Sequence, residues 1–260
     1  MIERSQTGGI LTLRLAHGKA SALDLEFMDA IALAFAEGAE ADAVILTGTG
    51  SIFSAGVDLF RLLEQGAEYT NRFVPALSRL MLDLFSFPKP LVVAVNGHAI
   101  AGGCIMTLAA DYRLMAGGNG RIGIPELLVG VPFPPSVIEA VRFAVPPQHL
   151  QSLMFTGRTV LADEALRLGL IDEVVDGRAD VSSAQADGTS ALLARAGEVA
   201  RQLAALPARA FQLAKRQLRE KTISRAKRYN AEFDDEVRAL WSDPATHQRI
   251  RDYLAKTVKK

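Results

Sequence analysis

The chain has 260 residues, with 29 basic against 29 acidic side chains, so no global field draws it toward nucleic acid or an anionic membrane surface. Hydrophobic residues make up 49% and charged residues 22%, the balance of a globular protein large enough to bury a core. A single cysteine excludes an internal disulfide or a cysteine-rich metal cluster. The amino end lacks a signal core, and no apolar run approaches the roughly 18 residues that span a bilayer, so the expectation is a soluble, cytoplasmic chain.

Residues 10–15 (ILTLRL) alternate like a strand. A small-residue loop from His17 leads to Asp24, placed to cap a helix over residues 25–37 that Gly38 stops. Residues 43–47 (AVILT) read as a short strand buried on both faces. Gly48-Thr49-Gly50-Ser51 and then IFSAGVDL follow, with Asp58 as the next candidate N-cap. Residues 60–87 predict one or two amphipathic helices, broken near Pro75 and closed at Pro88.

The stretch KPLVVAVNGHAIAGGC repeats this plan about fifty residues on. Residues 91–95 are a β-branched apolar run, Asn96-Gly97 is a turn dipeptide, and Ala101-Gly102-Gly103 carries almost no side-chain bulk before a buried helix over 104–110. A strand, a tight turn and a helix start leave backbone N–H groups unpaired at the positive end of the helix dipole. Two such units offer two donors at the same depth of a fold, which is what a carbonyl oxygen gaining negative charge requires. Read alone, Gly102-Gly103 equally suits close helix–strand packing.

Past Asp111, strands are expected over 112–115 and 121–124. Glu126 follows Pro125, a position that is ordinarily a solvated helix start. Pro132-Phe133-Pro134-Pro135 is stiff, Ser136 is placed to cap a helix over 137–143, and Pro146-Pro147 opens another through 154. Residues 159–168 predict a helix stopped by Gly169, and 171–175 the last strand. A polar surface loop over 176–189 precedes helices over 191–206 and 207–220, then a tail of mixed charge around Trp241. Strands alternating with helices argue an α/β class, divided as a core over 1–190 and a helical region over 191–260. Cys104 reads as a small buried hydrophobe, and His17, His98, His149 and His247 lack metal-ligand spacing. The basic residues over 215–228 read as a solvated helix face, and no GxSxG elbow is present.

In their order and spacing, ASALD from Ala20, FSAGVDL, KPLVVAVNGHAIAGGC, DYRLMA, IPELLVG and the segment from Ala165 to Val175 resemble the crotonase superfamily of enoyl-CoA hydratases and isomerases. The resemblance covers most of the chain. It implies a crotonase-like spiral of ββα units with a C-terminal helical trimerisation region, hence a homotrimer or a dimer of trimers. It implies acyl-CoA thioester substrates and no metal or redox cofactor, CoA being part of the substrate. The two oxyanion donors fall on the N–H groups of Val57, just after Gly56, and Gly102. The CoA portion falls along Lys19, Ala20, Ala22, Ala55, Asp58 and Leu59.

Hydratases of this family typically carry two glutamates. The second falls on Glu126, and the first on Ile105, whose alkyl side chain neither binds nor activates water. The segment VPFPP also replaces a usual glycine-rich one. This pattern resembles the single-glutamate enoyl-CoA isomerase branch, in which Glu126 would carry a proton from C2 to C4 while Ile105 and Phe133 exclude water and raise the carboxyl pKa. An enoyl-CoA hydratase, or another enolate-forming reaction such as decarboxylation using Glu126 alone, stands as the alternative.

Overall fold

The chain climbs through successive strand–strand–helix turns, the first strand of each joining one sheet and the second another. The computed structural model describes residues 1–176 and 184–257, without the side chains of residues 184–189. Strands β1 (Ile2–Thr7) and β2 (Ile10–Leu15) form a hairpin, followed by α1 (Leu25–Glu37). The turns are β3 (Ala43–Thr47), β4 (Ile52–Ser54) and α2 (Leu59–Ser86); then β5 (Leu91–Val95), β6 (His98–Ile100) and α3 (Gly102–Leu108); then β7 (Tyr112–Ala116), β8 (Ile122–Gly123) and α4 (Glu126–Val129). Next come α5 (Pro135–Ala144), α6 (Pro147–Thr156), β9 (Thr159–Val160), α7 (Ala162–Arg167) and β10 (Glu173–Val175). Three helices end the chain: α8 (Ala184–Ala204), α9 (Ala208–Ser242) and α10 (Pro244–Thr257).

The larger sheet runs β1-β2-β3-β5-β7-β10, parallel throughout except for the antiparallel β1 edge. Every residue of β3 and β5 is buried, as unbroken apolar strands covered on both faces should be. One face carries Ile45, Val92, Ala94 and Leu114 against Leu192, Ala196 and Val199 of α8. The other turns Val44, Leu46 and Val93 into the main core with Phe27 and Phe73. The period of two along each strand divides the side chains between these layers.

The smaller sheet runs β4-β6-β8-β9. Its strands β4, β6 and β8 are parallel neighbours, so their C-terminal ends reach the same edge. That edge delivers Ala55-Gly56-Val57 after β4, Ala101-Gly102 after β6 and Pro125-Glu126 after β8.

The α/β class and the ββα spiral agree with expectation, and several local expectations do not. Helix α2 runs through Pro75 and breaks instead at Gly66, with φ +69° and ψ −155°. Phe73, Val74, Leu77 and Leu80 are buried around the proline, and that packing outweighs the one hydrogen bond the ring removes. Ser136 does not cap α5: Pro134 precedes it, Pro135 opens it, and the Ser136 Oγ has no hydrogen-bond partner among the described residues. The helix expected over 159–168 starts only at Ala162, because Thr159 and Val160 pair with Gly123 and Ile122 as an edge strand. The helix expected to end at residue 220 continues to Ser242, and the loop expected over 176–189 yields to α8 from Ala184, with residues 177–183 outside the described ones.

Candidate active site

Each of the three edge loops is shaped by close backbone approach. Ala55 N donates to Ala20 O at 2.9 Å, Leu23 N to Gly56 O at 2.7 Å and Asp58 N to Leu23 O at 2.9 Å, so the loop of residues 17–24 is stitched to that of 54–58. The Ser54 hydroxyl donates to Ser21 O at 2.7 Å and accepts from Gly56 N at 3.1 Å. These bonds flank the Val57 amide and leave it without an acceptor among the described residues.

The second loop has the same property for a different reason. Gly102 is the first residue of α3, where no earlier helical carbonyl exists to accept its N–H. Ala101 before it is held at φ +51° and ψ −121°, a region costing a non-glycine residue about 1–3 kcal/mol. Gly103 is obligatory packing: a Cβ there would lie 2.4 Å from Ser54 O. Gly102 faces the first loop, and a Cβ on it would meet Leu23 Cδ1 at 2.7 Å and sit 3.5 Å from Gly56 Cα. Close packing therefore holds for both glycines, and Gly102 in addition brings a free amide beside the Gly56–Val57 peptide.

Glu126 stands at the third strand end as the first residue of α4. It is buried, only 9% exposed, rather than solvated as a post-proline glutamate usually is, and its Oε2 has no hydrogen-bond partner among the described residues. Burial pushes its pKa up to about 8, partly opposed by a hydrogen bond from its own backbone N–H. A carboxylic acid kept uncommitted in an apolar setting is ready to exchange a proton.

A cavity of about 60 Å³ joins these pieces, lined by Ala55, Val57, Leu59, Ala101 and Glu126, with Ile100, Val129 and Val131 as further apolar wall. Larger grooves of about 750 and 580 Å³ run along α9. Phe133 lines the second of these with Tyr229 and Phe233, not the cavity beside Glu126. Ile105 is buried in α3 in the main core. Lys19 is exposed and Ala20 and Ala22 are half-buried on the stitched loop, where a long polar ligand has access. Asp58 caps α2 by accepting from Arg61 N at 3.0 Å.

Two side chains outside the expected set complete the wall: Trp241 from the end of α9 and Tyr253 from α10. No local motif marks either; a lone tryptophan within a mainly charged tail was the one hint in the sequence. The cysteine and histidines stay structural. Cys104 is buried, and desolvation pushes its thiol pKa well up. His98 Nδ1 accepts from Arg121 N at 3.3 Å. Among the described residues no group of three or more His, Cys, Asp or Glu is placed to hold a metal ion, and no helix is long and apolar enough to cross a membrane.

The model of the enoyl-CoA hydratase/isomerase family matches residues 5–247. A putative enoyl-CoA hydratase of Thermus thermophilus is 40% identical over 136 residues, which are 51% of this chain and 53% of that protein, so the match spans about half the relative's length. A carnitinyl-CoA dehydratase of Citrobacter koseri is 34% identical over 183 residues, 68% of this chain and 69% of the relative. Among solved structures, human mitochondrial delta3-delta2-enoyl-CoA isomerase superposes with a TM-score of 0.85 over 98% of this chain and 97% of its own, at 24% identity. Methylmalonyl-CoA decarboxylase does so with 0.82 over 100% and 97%, at 19% identity. At these identities the two structures speak for the fold alone.

Proposed function

The chain belongs to the enoyl-CoA hydratase/isomerase family, and we propose that it shifts the double bond of a 3-enoyl-CoA to position 2 through an enolate. The thioester oxygen lies between the amides of Val57 and Gly102. Glu126, as carboxylate, takes a proton from C2: the C2–H bond breaks, its electron pair enters the conjugated system, and negative charge collects on the thioester oxygen. Each amide donor to that oxygen contributes about 3–4 kcal/mol to the rate. Glu126 then returns the proton to C4, and the double bond moves without net redox change or added water. Such a reaction draws only on groups of the chain itself. The CoA portion runs out over Lys19, Ala20 and Ala22.

The observation that carries this reading is the buried carboxyl of Glu126, the one acidic side chain among the described residues that line its cavity, with one oxygen uncommitted and the spare Val57 amide in the same wall. The alkyl side chain of Ile105 leaves no second carboxyl in α3 to orient water. A second reading, reversible hydration using Glu126 alone, is favoured by the hydratase and dehydratase names of the relatives. One experiment separates them: incubation with 3-enoyl-CoA, 2-enoyl-CoA and 3-hydroxyacyl-CoA thioesters, with products identified by mass. Conversion of 3-enoyl to 2-enoyl without hydroxyacyl product supports the isomerase; hydroxyacyl formation as the main flux replaces it with the hydratase.

A further inference from the structure

The amides of residues 55–58 are committed one by one, and a single side chain takes part. Ala55 N donates to Ala20 O and Asp58 N to Leu23 O, main chain to main chain, bonds that most sequences could supply. Gly56 N instead donates to the hydroxyl of Ser54 at 3.1 Å. Val57 N is left as the amide of this loop without an acceptor among the described residues. The hydroxyl has a fixed direction, because its other partner, Ser21 O at 2.7 Å, is a carbonyl and can only accept. Its proton therefore points to Ser21 and a lone pair to Gly56 N.

Ser54 is fully buried and stands behind the cavity wall formed by Ala55 and Val57, at a point where three loops meet. Ser21 is held at φ +45°, a conformation that a residue with a side chain keeps only under support. On the opposite side, Ser54 O lies 2.4 Å from where a Cβ of Gly103 would be, so the second donor loop packs directly on it. Gly56 next door is at φ +82°, and a glycine lets its flanking peptides turn over cheaply. A buried N–H at Gly56 with no acceptor would be costly, and the rotation that relieves it also moves the Val57 amide. We propose that Ser54 is a positioning residue whose hydroxyl, by holding Gly56 N, presents Val57 N to the thioester oxygen. This assignment rests on the acyl-CoA reading above. The hydroxyl is no nucleophile: its proton is given to a carbonyl, and no basic side chain bonds it among the described residues.

The test reads the oxyanion site itself, through the infrared carbonyl stretch of bound butanoyl-CoA carrying a heavy isotope at its carbonyl carbon. In the wild type the Val57 and Gly102 amides should polarise that bond and move its stretch to lower frequency. Ser54→Ala should lose about half of the shift, since one of the two donors is misplaced. Its kcat on 3-hexenoyl-CoA should fall roughly ten- to a hundredfold, with KM within about threefold of wild type. The pH profile of kcat/KM should stay unchanged, because Glu126 is untouched. Ser54→Thr keeps the hydroxyl while crowding a filled space, so it should lose melting temperature yet retain most of the shift. If Ser54→Ala does not fold, Ser54→Cys, whose thiol is a weak acceptor, should show a loss in the same sense. A full carbonyl shift in Ser54→Ala or Ser54→Cys, whatever the stability, makes the serine structural only and overturns the proposal. So does a loss in Ser54→Thr equal to that in Ser54→Ala. A wild-type carbonyl that does not shift on binding overturns both this assignment and the oxyanion reading beneath it. A shift that Ser54→Ala diminishes, with no double-bond movement in 3-hexenoyl-CoA by the wild type, defeats the isomerase reading alone and leaves Ser54 in its assigned role.

Discussion

Gly56 and Gly102 meet across the ends of two parallel strands, so closely that a Cβ on Gly56 would lie 2.9 Å from Gly102 N and 2.7 Å from Ile100 O. Gly56 also sits at φ +82°, where an L side chain is strained whatever the space around it. The two amides assigned to the oxyanion are thus held together by the absence of side chains. Gly56→Ala should cost about 1–3 kcal/mol of stability and drive the loops apart. Turnover should fall roughly a hundredfold or more, as when an oxyanion donor is lost. Thermal denaturation and kcat measured on the same preparation check both halves.

Glu126 gives a prediction with opposite signs for activity and stability. With its pKa pushed up to about 8 by burial, the free protein at pH 7 holds the group mostly protonated. A base must be ionised, so kcat/KM for double-bond shift should rise with pH and level off above about 8. Stability runs the other way. Between the ordinary carboxyl value of 4.5 and about 8, the folded chain keeps a proton that the unfolded chain has lost, so this group's contribution falls as pH rises through that window. Glu126→Gln removes the titration. The variant should lose about 10²–10⁴ in turnover, yet gain melting temperature over wild type at pH 9 and little at pH 4.

The parts of this arrangement that the sequence disclosed are those built from local pattern. The unbroken runs AVILT and LVVAV could only be doubly covered strands, and small residues followed by Asp58, or by Gly102 and Gly103, announced free amides at helix starts. The polar strand β1, with five of its six residues exposed, has no apolar alternation to show. The three-residue β6 is shorter than any periodic signal. Gly66 rather than Pro75 breaks α2 because tertiary burial around the proline decides the matter. Trp241 reaches the site through its bond to Pro132 O and Tyr253 through the packing of α10 on α4, contacts between residues more than a hundred positions apart. Phe133, expected beside Glu126, lies instead on the groove between α5 and α9, because Pro134 and Pro135 turn the chain into α5 immediately after it.

Arg219 supports the site from its far end. Its guanidinium donates to Phe85 O at 2.5 Å, Ala109 O at 3.0 Å and Ala110 O at 3.0 Å, just past the C-terminus of α3, and pairs with Asp111 at 2.8 Å. It lies 4.4 Å from the ring centroid of Phe85 and 5.6 Å from that of Phe143, two rings packed edge to face, and Lys215 takes the other Asp111 oxygen at 2.5 Å. A cation at two helix C-termini complements both dipoles. Arg219→Met keeps bulk but strands three buried carbonyls, and should cost about 3–5 kcal/mol by chemical denaturation. Lys in its place reaches at most part of this set, so Arg219→Lys should recover less than half of the loss.

Asp24 shows the usual carboxylate sign, opposite to Glu126. It is buried, accepts from Phe27 N at 2.7 Å to cap α1, and meets the His17 ring at 2.8 Å and Arg61 at 2.9 Å. Desolvation by itself would raise its pKa, yet the His17 and Phe27 hydrogen bonds and the nearby Arg61 charge together hold it below the ordinary value. Its contribution is therefore present above the ordinary carboxylate range and lost as pH falls below it. Asn caps a helix as well as Asp does, so Asp24→Asn isolates the charged partners from the cap. Discounted for the partly exposed His17 and Arg61 side chains, the substitution should cost about 1–2 kcal/mol at pH 7. The gap in melting temperature between variant and wild type should narrow as pH falls below the ordinary carboxylate range, where protonation of the wild-type carboxyl removes its charge. A gap of constant size across that range would assign Asp24 to packing and capping alone, with no share for its charge.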